Sequence, residues 1–501
     1  MLKRNLLVGL VLLGVLLIVG CAAPSNASKA IARQEIQSGQ IVPADELRVA
    51  EYLQYYKQNF PQPVNTTLGL DLRLGNTQVP VDGGTAWLQI GLQAKNVAAT
   101  DIAPLNLALV IDKSGSMDTP EKMPYLKQSL RVFLQSLASN DIVSIVAFSD
   151  NAELILPANK VGNGSWIEST INRIQPGGST NLYDGLMMGF KEVDRNYDVR
   201  RNNRVILLTD GIANVGTVDP KRIAADAKAY NDKGIYLSSV GLGKDFNDPL
   251  LSTLATQGKG GYHFIDSAEE MDKVFRQEVS GMMQKAASNV SVVITPAQGV
   301  SIDSITGYDG RPPAGTFQVT MQDMGTSDSQ VVMAKLYVTS GANGRRAIAK
   351  VDLNYKDLFS QRNETISSSV TADAARVSNY DPTWDVEVLR NVTIQRTAEG
   401  LKQIASLYKA QRYQEAWNLA VQLEQDLRYA ARLTGDQQMV KDADMMRTYQ
   451  DTLSKWVQNQ TGRPPQYPQG DSGGNRSDTG QPTLPGRQLL PTQTPPTINI
   501  K

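Results

Sequence analysis

The sequence predicts an α/β protein in which a doubly wound, Rossmann-like domain is flanked by a β-sandwich and followed by a helical region. Three observations lead to this prediction. Between about residues 105 and 284, short apolar runs rich in branched side chains alternate with helical patterns, as in a parallel sheet covered on both faces. From Ser288 the apolar pattern switches to a period of two, which is typical of half-buried antiparallel strands. Residues 383–457 return to helical spacing and are rich in Ala, Leu and Gln.

The N-terminus has the pattern of a targeting segment. Lys3 and Arg4 precede an apolar stretch over residues 6–19, and the sequence IVGC ends at Cys21. This ending resembles a bacterial lipobox, in which the cysteine thiol is lipidated and the chain is cut before it. The stretch is shorter than the ~20 apolar residues that a transmembrane helix needs. We therefore expect residues 1–21 to be a lipoprotein signal peptide and the protein to be lipid-anchored, extracytoplasmic, at the cell membrane or outer envelope; an uncleaved anchor is the alternative.

Composition excludes several classes of function. A chain of 501 residues exceeds one hydrophobic core, so several domains are expected. Lys and Arg together number 50, as do Asp and Glu, so no net charge indicates nucleic acid as a partner. Cys21 is the only cysteine and His263 the only histidine. Disulfide frameworks, cysteine-based metal sites, histidine triads and multi-histidine zinc sites are accordingly not expected.

The segments before the α/β unit predict a tether, a helix and a strand. Residues 22–44 begin with small and polar side chains and are interpreted as a tether. Residues 45–60 place apolar side chains at helical spacing and end at Pro61. Residues 85–95 alternate apolar and polar side chains, which predicts a half-buried antiparallel strand. We assign residues 45–100 to the helix and strands of the flanking sandwich.

The α/β unit is assigned to residues 101–286, where strand and helix patterns alternate. Its predicted strands are 107–111, 142–148, 152–156 (an antiparallel edge), 204–209, 235–240 and 262–265. Its predicted helices are 125–137, 167–174, 182–193, 220–233, 249–256 and 268–285.

The first strand of this unit ends in a loop rich in oxygen ligands. Asp112 stands at the strand's end, and Ser114 and Ser116 follow at alternate positions around Gly115. One carboxylate and two hydroxyls are hard ligands, which suit Mg²⁺, Mn²⁺ or Ca²⁺ better than zinc. On its own, this D-x-S-x-S pattern is also typical of a turn with a helix-capping serine.

Two further loops strengthen the interpretation. Thr180 ends the sequence GGST and supplies another hydroxyl, while Asp210 follows the buried run at 204–209. Ligands of open α/β sheets bind beyond the carboxyl ends of the strands. Asp112 and Asp210 both follow strands, so we expect them to meet at that edge.

Asp112, Ser114, Ser116, Thr180 and Asp210 together resemble the metal-ion-dependent adhesion site of the von Willebrand factor A (VWA) domain. The resemblance covers roughly residues 105–284, and the overall pattern is similar to bacterial VWA domain-containing lipoproteins. It implies a bound divalent ion, with Mg²⁺ preferred and Mn²⁺ or Ca²⁺ as alternatives. It also implies a protein partner that presents an acidic residue to the metal. Lys113 occupies a free position of the motif, where a cation could lower metal affinity.

The chain beyond residue 286 is expected to form a sandwich, a helical bundle and a tail. Residues 287–375 predict sandwich strands, with 339–345 as a hairpin connection. Because these strands and the strand at 85–95 all need partners, we infer that the α/β unit is inserted into, or mounted on, one sandwich built from both flanks. Residues 376–460 predict helices around a turn near 411–413, with a faint likeness to one tetratricopeptide pair. Residues 461–501 are dense in Pro, Gly, Ser, Thr and Gln, which predicts disorder.

These features predict a membrane-anchored protein that binds another protein through a divalent metal, in adhesion or in complex assembly. A structural envelope scaffold whose metal only stabilises the loops is one alternative. An enzyme or enzyme accessory subunit is another, but a D-x-D phosphotransferase loop would need a second aspartate where Ser114 stands. We therefore expect a non-enzymatic protein without a nucleic-acid partner.

Overall fold

The computed structural model describes residues 27–96, 103–120, 122–135, 137–242, 248–265, 274, 285–308, 312, 314–376 and 384–466. Helices α1 to α10 in these ranges are Ala27–Gln37, Val49–Gln54, Met123–Gln135, Ile167–Asn172, Leu182–Arg195, Pro220–Asp232, Asp248–Gln257, Val386–Lys409, Tyr413–Thr434 and Gln437–Thr461. Strands β1 to β16 are Leu68–Leu74, Gln78–Pro80, Gly84–Ala94, Leu105–Asp112, Ile142–Phe148, Ala152–Lys160, Asn202–Thr209, Tyr236–Leu242, Lys259–Ile265, Lys285–Pro296, Val300–Ile305, Phe317–Thr320, Met324–Gly325, Ser329–Val338, Gly344–Asp357 and Asn363–Ala375. The predicted signal peptide with Cys21, most of the predicted helix 268–285 and most of the predicted tail lie outside the described residues.

The central α/β domain confirms the doubly wound fold. Its sheet has the order β6-β5-β4-β7-β8-β9, in which β6 is antiparallel and the other neighbours are parallel. Successive residues of β4 point to opposite faces. Leu107 and Leu109 enter the core that contains α3 and α4, while Ala108 and Val110 enter the core that contains α5, α6 and α7. All of β4 is buried, which explains its unbroken apolar sequence.

The sandwich is built from segments on both sides of the α/β domain. One sheet has the order β1-β3-β14-β11 and the other β12-β10-β15-β16-β2. Strand β3, which precedes the domain, pairs antiparallel with β14, which follows it, from Gly84 opposite Val338 to Gln93 opposite Ser329. The domain is therefore inserted into the sandwich, as the strand patterns predicted.

Strand β3 is buried on both faces, not half-buried as its alternation predicted. Its polar face is covered by the helical region, because Asn391 of α8 donates a 2.7 Å hydrogen bond to the Gln89 side chain. Trp87 of β3 also packs in the same apolar cluster as α8, α9 and α10. Polar residues that alternate along a strand can thus lie beneath another layer when that layer supplies hydrogen bonds.

The predicted hairpin at residues 339–345 is wrong. Strand β14 pairs with β3 and β11, whereas β15 pairs with β10 and β16 in the opposite sheet. Both edges of each strand are thus occupied, and the segment crosses between the two sheets.

The helical region contains the predicted turn, where Gln411 has a φ of 57° between α8 and α9. Asp385 and Asp436 cap the N-termini of α8 and α10 through backbone amides. Gly435 and Gly462 end α9 and α10 in left-handed conformations. Within the residues that the structure describes, no helix is both long and apolar enough to cross a membrane.

The segment interpreted as a tether over residues 22–44 contains the buried helix α1. Ala30 and Ile31 pack in one core of the α/β domain, and Ile36 packs in the core of the helical region. Lys29 forms a 2.5 Å ion pair with Asp442 of α10, and both side chains are almost fully buried. The small and polar side chains did not predict a buried helix, because its burial comes from contacts with two other units.

The helix predicted over residues 45–60 is also shorter than expected. Helix α2 ends at Gln54, and Tyr56 and Phe60 are buried outside it. Phe60 packs directly over β3, because a Cβ atom on Gly91 would lie 2.5 Å from its ring. Contact with the sheet thus takes precedence over helix continuation.

Candidate metal centre

The metal-site residues predicted from sequence meet at the carboxyl edge of the central sheet. Asp112 is the last residue of β4, and Asp210 directly follows the adjacent parallel strand β7. Thr180 lies in the loop before α5, whose N-cap is Asn181. The fold therefore brings three loops to one edge, as the position of the two aspartates predicted.

Oxygen atoms from these loops converge. The Oγ atoms of Ser114 and Ser116 lie 3.1 Å apart, and the Ser116 hydroxyl donates a 2.8 Å hydrogen bond to Oδ1 of Asp210. A Cβ atom on Gly211 would lie 3.5 Å from Oγ1 of Thr180 and 3.9 Å from Oγ of Ser116. The second loop thus reaches the same point as the first and third.

Asp112 anchors the first loop from below. Its Oδ1 accepts a 2.8 Å hydrogen bond from the backbone amide of Ser114, and its Oδ2 accepts a 2.6 Å bond from the Thr209 hydroxyl. Burial raises the pKa of the Asp112 carboxyl above its ordinary value, hydrogen bonds from Ser114 and Thr209 lower it, and the nearby charge of Asp210 raises it. The site therefore has two fully buried carboxylates whose charges repel each other.

A lysine that the sequence interpretation did not identify reaches this site. The Lys122 ammonium lies 2.6 Å from Oδ2 of Asp210 and donates a 3.1 Å hydrogen bond to the carbonyl of Ser116. Lys113, the cation considered from sequence, instead pairs with Glu153 at 2.9 Å. Only the proximity of Lys122 to the D-x-S-x-S motif could have indicated its role.

The first and second loops are joined through their backbones. The amide of Gly115 donates to the carbonyl of Gly178 at 2.9 Å, and the amide of Gly177 donates to the carbonyl of Lys113 at 2.7 Å. Gly178 has a φ of +86°, and a Cβ atom there would lie 2.6 Å from the Asp150 carboxylate. Glycine is therefore required at this position by both backbone conformation and space.

The second and third loops are joined through Asn214. Its side-chain oxygen accepts a 2.8 Å hydrogen bond from the backbone amide of Thr180. The backbone amide of Asn214 donates a 3.1 Å hydrogen bond to the Thr180 carbonyl. Motif analysis missed Thr209 and Asn214, which hold Asp112 and Thr180 by hydrogen bonds without being ligands in the pattern. Their sequence signal was only that they flank Asp210.

The donor set fits a small, hard divalent ion. Two ligand oxygens at 2.0–2.1 Å from an octahedral ion and 90° apart are separated by about 2.9 Å. The oxygen separations of 2.8 and 3.1 Å match this value. The two carboxylates and three hydroxyls of the site provide only oxygen ligands. The described ranges contain no group of three or more His, Cys, Asp or Glu that could hold a metal.

Comparisons with known proteins agree with this domain assignment. The family model of the von Willebrand factor type A domain matches residues 106–277. The uncharacterized protein YfbK of Escherichia coli is 28% identical over 295 residues, which are 57% of this chain and 51% of that protein, so the chain spans about half the length of this relative. An uncharacterized protein of Synechocystis is 25% identical over 338 residues, covering 64% of this chain and 79% of the relative.

Among solved structures, a von Willebrand factor type A protein from Catenulispora acidiphila resembles this chain with a TM-score of 0.47 and 19% identity. That similarity covers 72% of this chain and 89% of the other. With its doubly wound sheet, its three converging loops and the family match, the segment over residues 106–277 is a von Willebrand factor type A domain.

Proposed function

We propose that this protein is a lipid-anchored, divalent-metal-dependent protein-binding protein that acts in adhesion or complex assembly. The observation that carries this proposal is the convergence of Ser114, Ser116, Thr180 and Asp210 oxygens at the carboxyl edge of the sheet, where Ser116 is exposed and Asp112 is buried. We assign no catalytic role to this edge, because Ser114 stands where a phosphate-transferring D-x-D loop would need a second carboxylate.

Some side chains of the site would supply ligand oxygens, and others hold those ligands in place. Ser114, Ser116 and Thr180 offer oxygen atoms without adding negative charge. Asp112 fixes the Ser114 amide and is itself fixed by Thr209. A bound Mg²⁺ ion, which prefers six oxygen ligands, would supply an electrophilic position for an outside carboxylate. An acidic residue of a partner protein could therefore complete the coordination shell.

The loop after Asp210 adds an apolar component to this surface. Ile212 and Val218 are 56% and 48% exposed, and Asn214 between them is fixed to Thr180 by two hydrogen bonds. A rigid loop with exposed aliphatic side chains beside an anionic site favours a partner segment that has an apolar residue near its acidic one.

The proposed anchor would hold the folded body close to a membrane. Five residues separate Cys21 from Ala27, the first residue of the buried helix α1. Fully extended, such a segment and its two flanking bonds span only about 20 Å. Lipidation of Cys21 would thus place helix α1 near the lipid surface on the extracytoplasmic side.

Calorimetric titration of Mg²⁺, Mn²⁺ and Ca²⁺, followed by capture of envelope proteins with Mg²⁺ or with chelator, tests this proposal. We expect binding of a divalent ion and metal-dependent retention of a partner. Failure to bind any of the three ions at millimolar concentration would contradict it.

A structural scaffold is the second candidate. The ion pair between Lys122 and Asp210 favours it, because a cation from the chain itself already compensates one buried carboxylate. Partner retention that is equal in Mg²⁺ and in chelator would support the scaffold.

A further inference from the structure

Three aromatic rings form a partly exposed cluster at one end of the helical region. Tyr408 lies near the end of α8, Tyr413 begins α9, and Trp456 lies on α10. Their ring centroids are 5.4, 5.1 and 5.9 Å apart for the three pairs. Trp456 remains 38% exposed, so the cluster presents aromatic surface to solvent. We call these three residues the aromatic platform.

The chain that leaves α10 returns to this platform. Helix α10 ends at the left-handed Gly462, and the amide of Gln466 donates a 3.2 Å hydrogen bond to Oε1 of Gln414. The Gln414 side-chain amide in turn donates to the carbonyl of Gln466 at 2.9 Å. Gln414 directly follows Tyr413, so both backbone groups of Gln466 are bound beside the platform. Pro465 is partly buried, whereas the neighbouring residues 461–464 and Gln466 are exposed.

The sequence at this point suits an extended, left-handed conformation. Residues 463–466 read RPPQ, in which Pro464 and Pro465 are consecutive. A proline ring fixes φ at about −65°, and the residue before a proline also favours the extended region, so this sequence suits a polyproline II helix. That helix has no internal hydrogen bonds, which leaves the N–H and C=O of a non-proline residue such as Gln466 available. Gln414 uses both groups of one such residue.

We propose that the aromatic platform and Gln414 form a binding site for a proline-rich segment in the polyproline II conformation, occupied by the chain's own residues 463–466. Aromatic grooves with a polar group that bonds the backbone bind such segments in other proteins. This inference does not depend on the metal site. It gives the proline-rich C-terminal segment a fixed attachment point, and it makes that segment a tethered competitor for any proline-rich partner of the platform.

Hydrogen exchange of the full chain, followed by mass spectrometry of the fragment that contains Gln466, tests the proposal. We expect the Gln466 amide to exchange on the order of tenfold more slowly than in a synthetic peptide of residues 463–472. Gln414→Ala and Trp456→Ala should each remove this protection. Tyr337→Ala, which truncates an exposed aromatic ring on β14 of the sandwich, is the matched control and should retain it.

Gln414→Ala leaves all three rings in place, so it remains informative if Trp456→Ala disturbs the helices. As a second measurement, the 463–472 peptide should accelerate exchange of the tethered segment when added at millimolar concentration, since a short tether gives an effective concentration of that order. A peptide with its three prolines replaced by alanine should not. Exchange in the parent as fast as in the free peptide, or protection that survives both Gln414→Ala and Trp456→Ala, would overturn the proposal.

Discussion

The ammonium of Lys122 lies 2.6 Å from the carboxylate of Asp210 and compensates the charge of a side chain that is fully buried. Lys122 is itself 19% exposed. It comes from the loop before α3, whereas Asp210 follows β7, so the pair joins the first and third loops of the site. A divalent ion held by Asp210 and this ammonium would therefore compete for the same carboxylate.

Lys122→Met should strengthen metal binding and weaken the metal-free fold. Removing the ammonium leaves Asp210 buried without its counter-charge, which should lower the free energy of unfolding by about 1–2 kcal/mol. The affinity for Mg²⁺ should rise about tenfold, the factor that ~1.4 kcal/mol of lost competition gives. Calorimetry and thermal melts with and without Mg²⁺ measure the two effects.

Lys113→Met is the matched control for that experiment, because the Lys113 ammonium pairs with Glu153 and not with a carboxylate of the site. It should leave Mg²⁺ affinity within about twofold of the parent, as surface ion pairs contribute little. Equal effects of the two substitutions would show that general electrostatics, not the contact with Asp210, governs affinity.

Asp112→Ala and Thr180→Ala should both weaken metal binding, and the aspartate should matter more because its loss removes charge as well as an oxygen. At a hundredfold excess over the dissociation constant, a bound ion stabilises the parent by about 2.7 kcal/mol. This increment should vanish in Asp112→Ala. Thermal melts with and without Mg²⁺ measure this increment. An unchanged increment in Asp112→Ala would exclude a metal site that includes Asp112.

Thr209→Val should reduce metal affinity although Thr209 is not a predicted ligand. Valine keeps the shape of threonine but removes the hydroxyl that donates a 2.6 Å hydrogen bond to Asp112. Groups that orient metal ligands typically contribute 10–100-fold in affinity, so a loss of about that size is expected. Titration calorimetry checks it, with Thr209→Ser as the control that restores the hydroxyl; a serine variant as weak as valine would refute the role.

The ion pair between Lys29 and Asp442 should make stability depend on pH. Burial lowers the pKa of Lys29 from 10.5 to about 8. Between these values the unfolded chain binds more protons than the folded chain, so the free energy of unfolding should rise with pH from about 8 to 10.5. Below about pH 8 the contribution of Lys29 should be constant.

Chemical denaturation of the parent and of Lys29→Met across this pH range measures the difference. The variant should lack the rise attributable to Lys29, and near neutral pH it should be less stable by about 3–5 kcal/mol because Asp442 loses its partner. Lys29→Met combined with Asp442→Leu should recover much of that loss. Parallel pH profiles for parent and variant would contradict the assignment.

Cys21→Ala should abolish lipidation, because the lipobox pattern places the acceptor thiol there. Metabolic labelling with a fatty acid in cells that produce each form gives the readout. Label on the variant equal to that on the parent would rule out Cys21 as the anchor.

Sequence alone was sufficient for features that depend on local pattern and on a general rule of sheet topology. Buried runs located β4 and β7, and the rule for open α/β sheets then placed Asp112 and Asp210 together. The contact of Lys122 with Asp210 was not predictable in this way, because a flexible four-carbon side chain can reach many positions from one backbone site.

Features that depend on distant packing were also missed. The composition of α1 does not reveal that the α/β domain and α10 cover its two sides. Likewise, alternation along β14 and β15 identifies two strands but not the sheet to which each belongs. Partners outside the element's own sequence decide both outcomes.

The ladder between β3 and β14 has a consequence for the order of folding. Gln93 and Ser329 are neighbours across it, yet the whole inserted domain lies between them in the chain. Closing a loop of more than two hundred unfolded residues costs roughly 5 kcal/mol of chain entropy. A domain that has already collapsed brings its two ends near each other and removes most of that barrier. We therefore expect the inserted domain to form early and the sandwich to close afterwards, so that damage to the insert would delay formation of the ladder between β3 and β14.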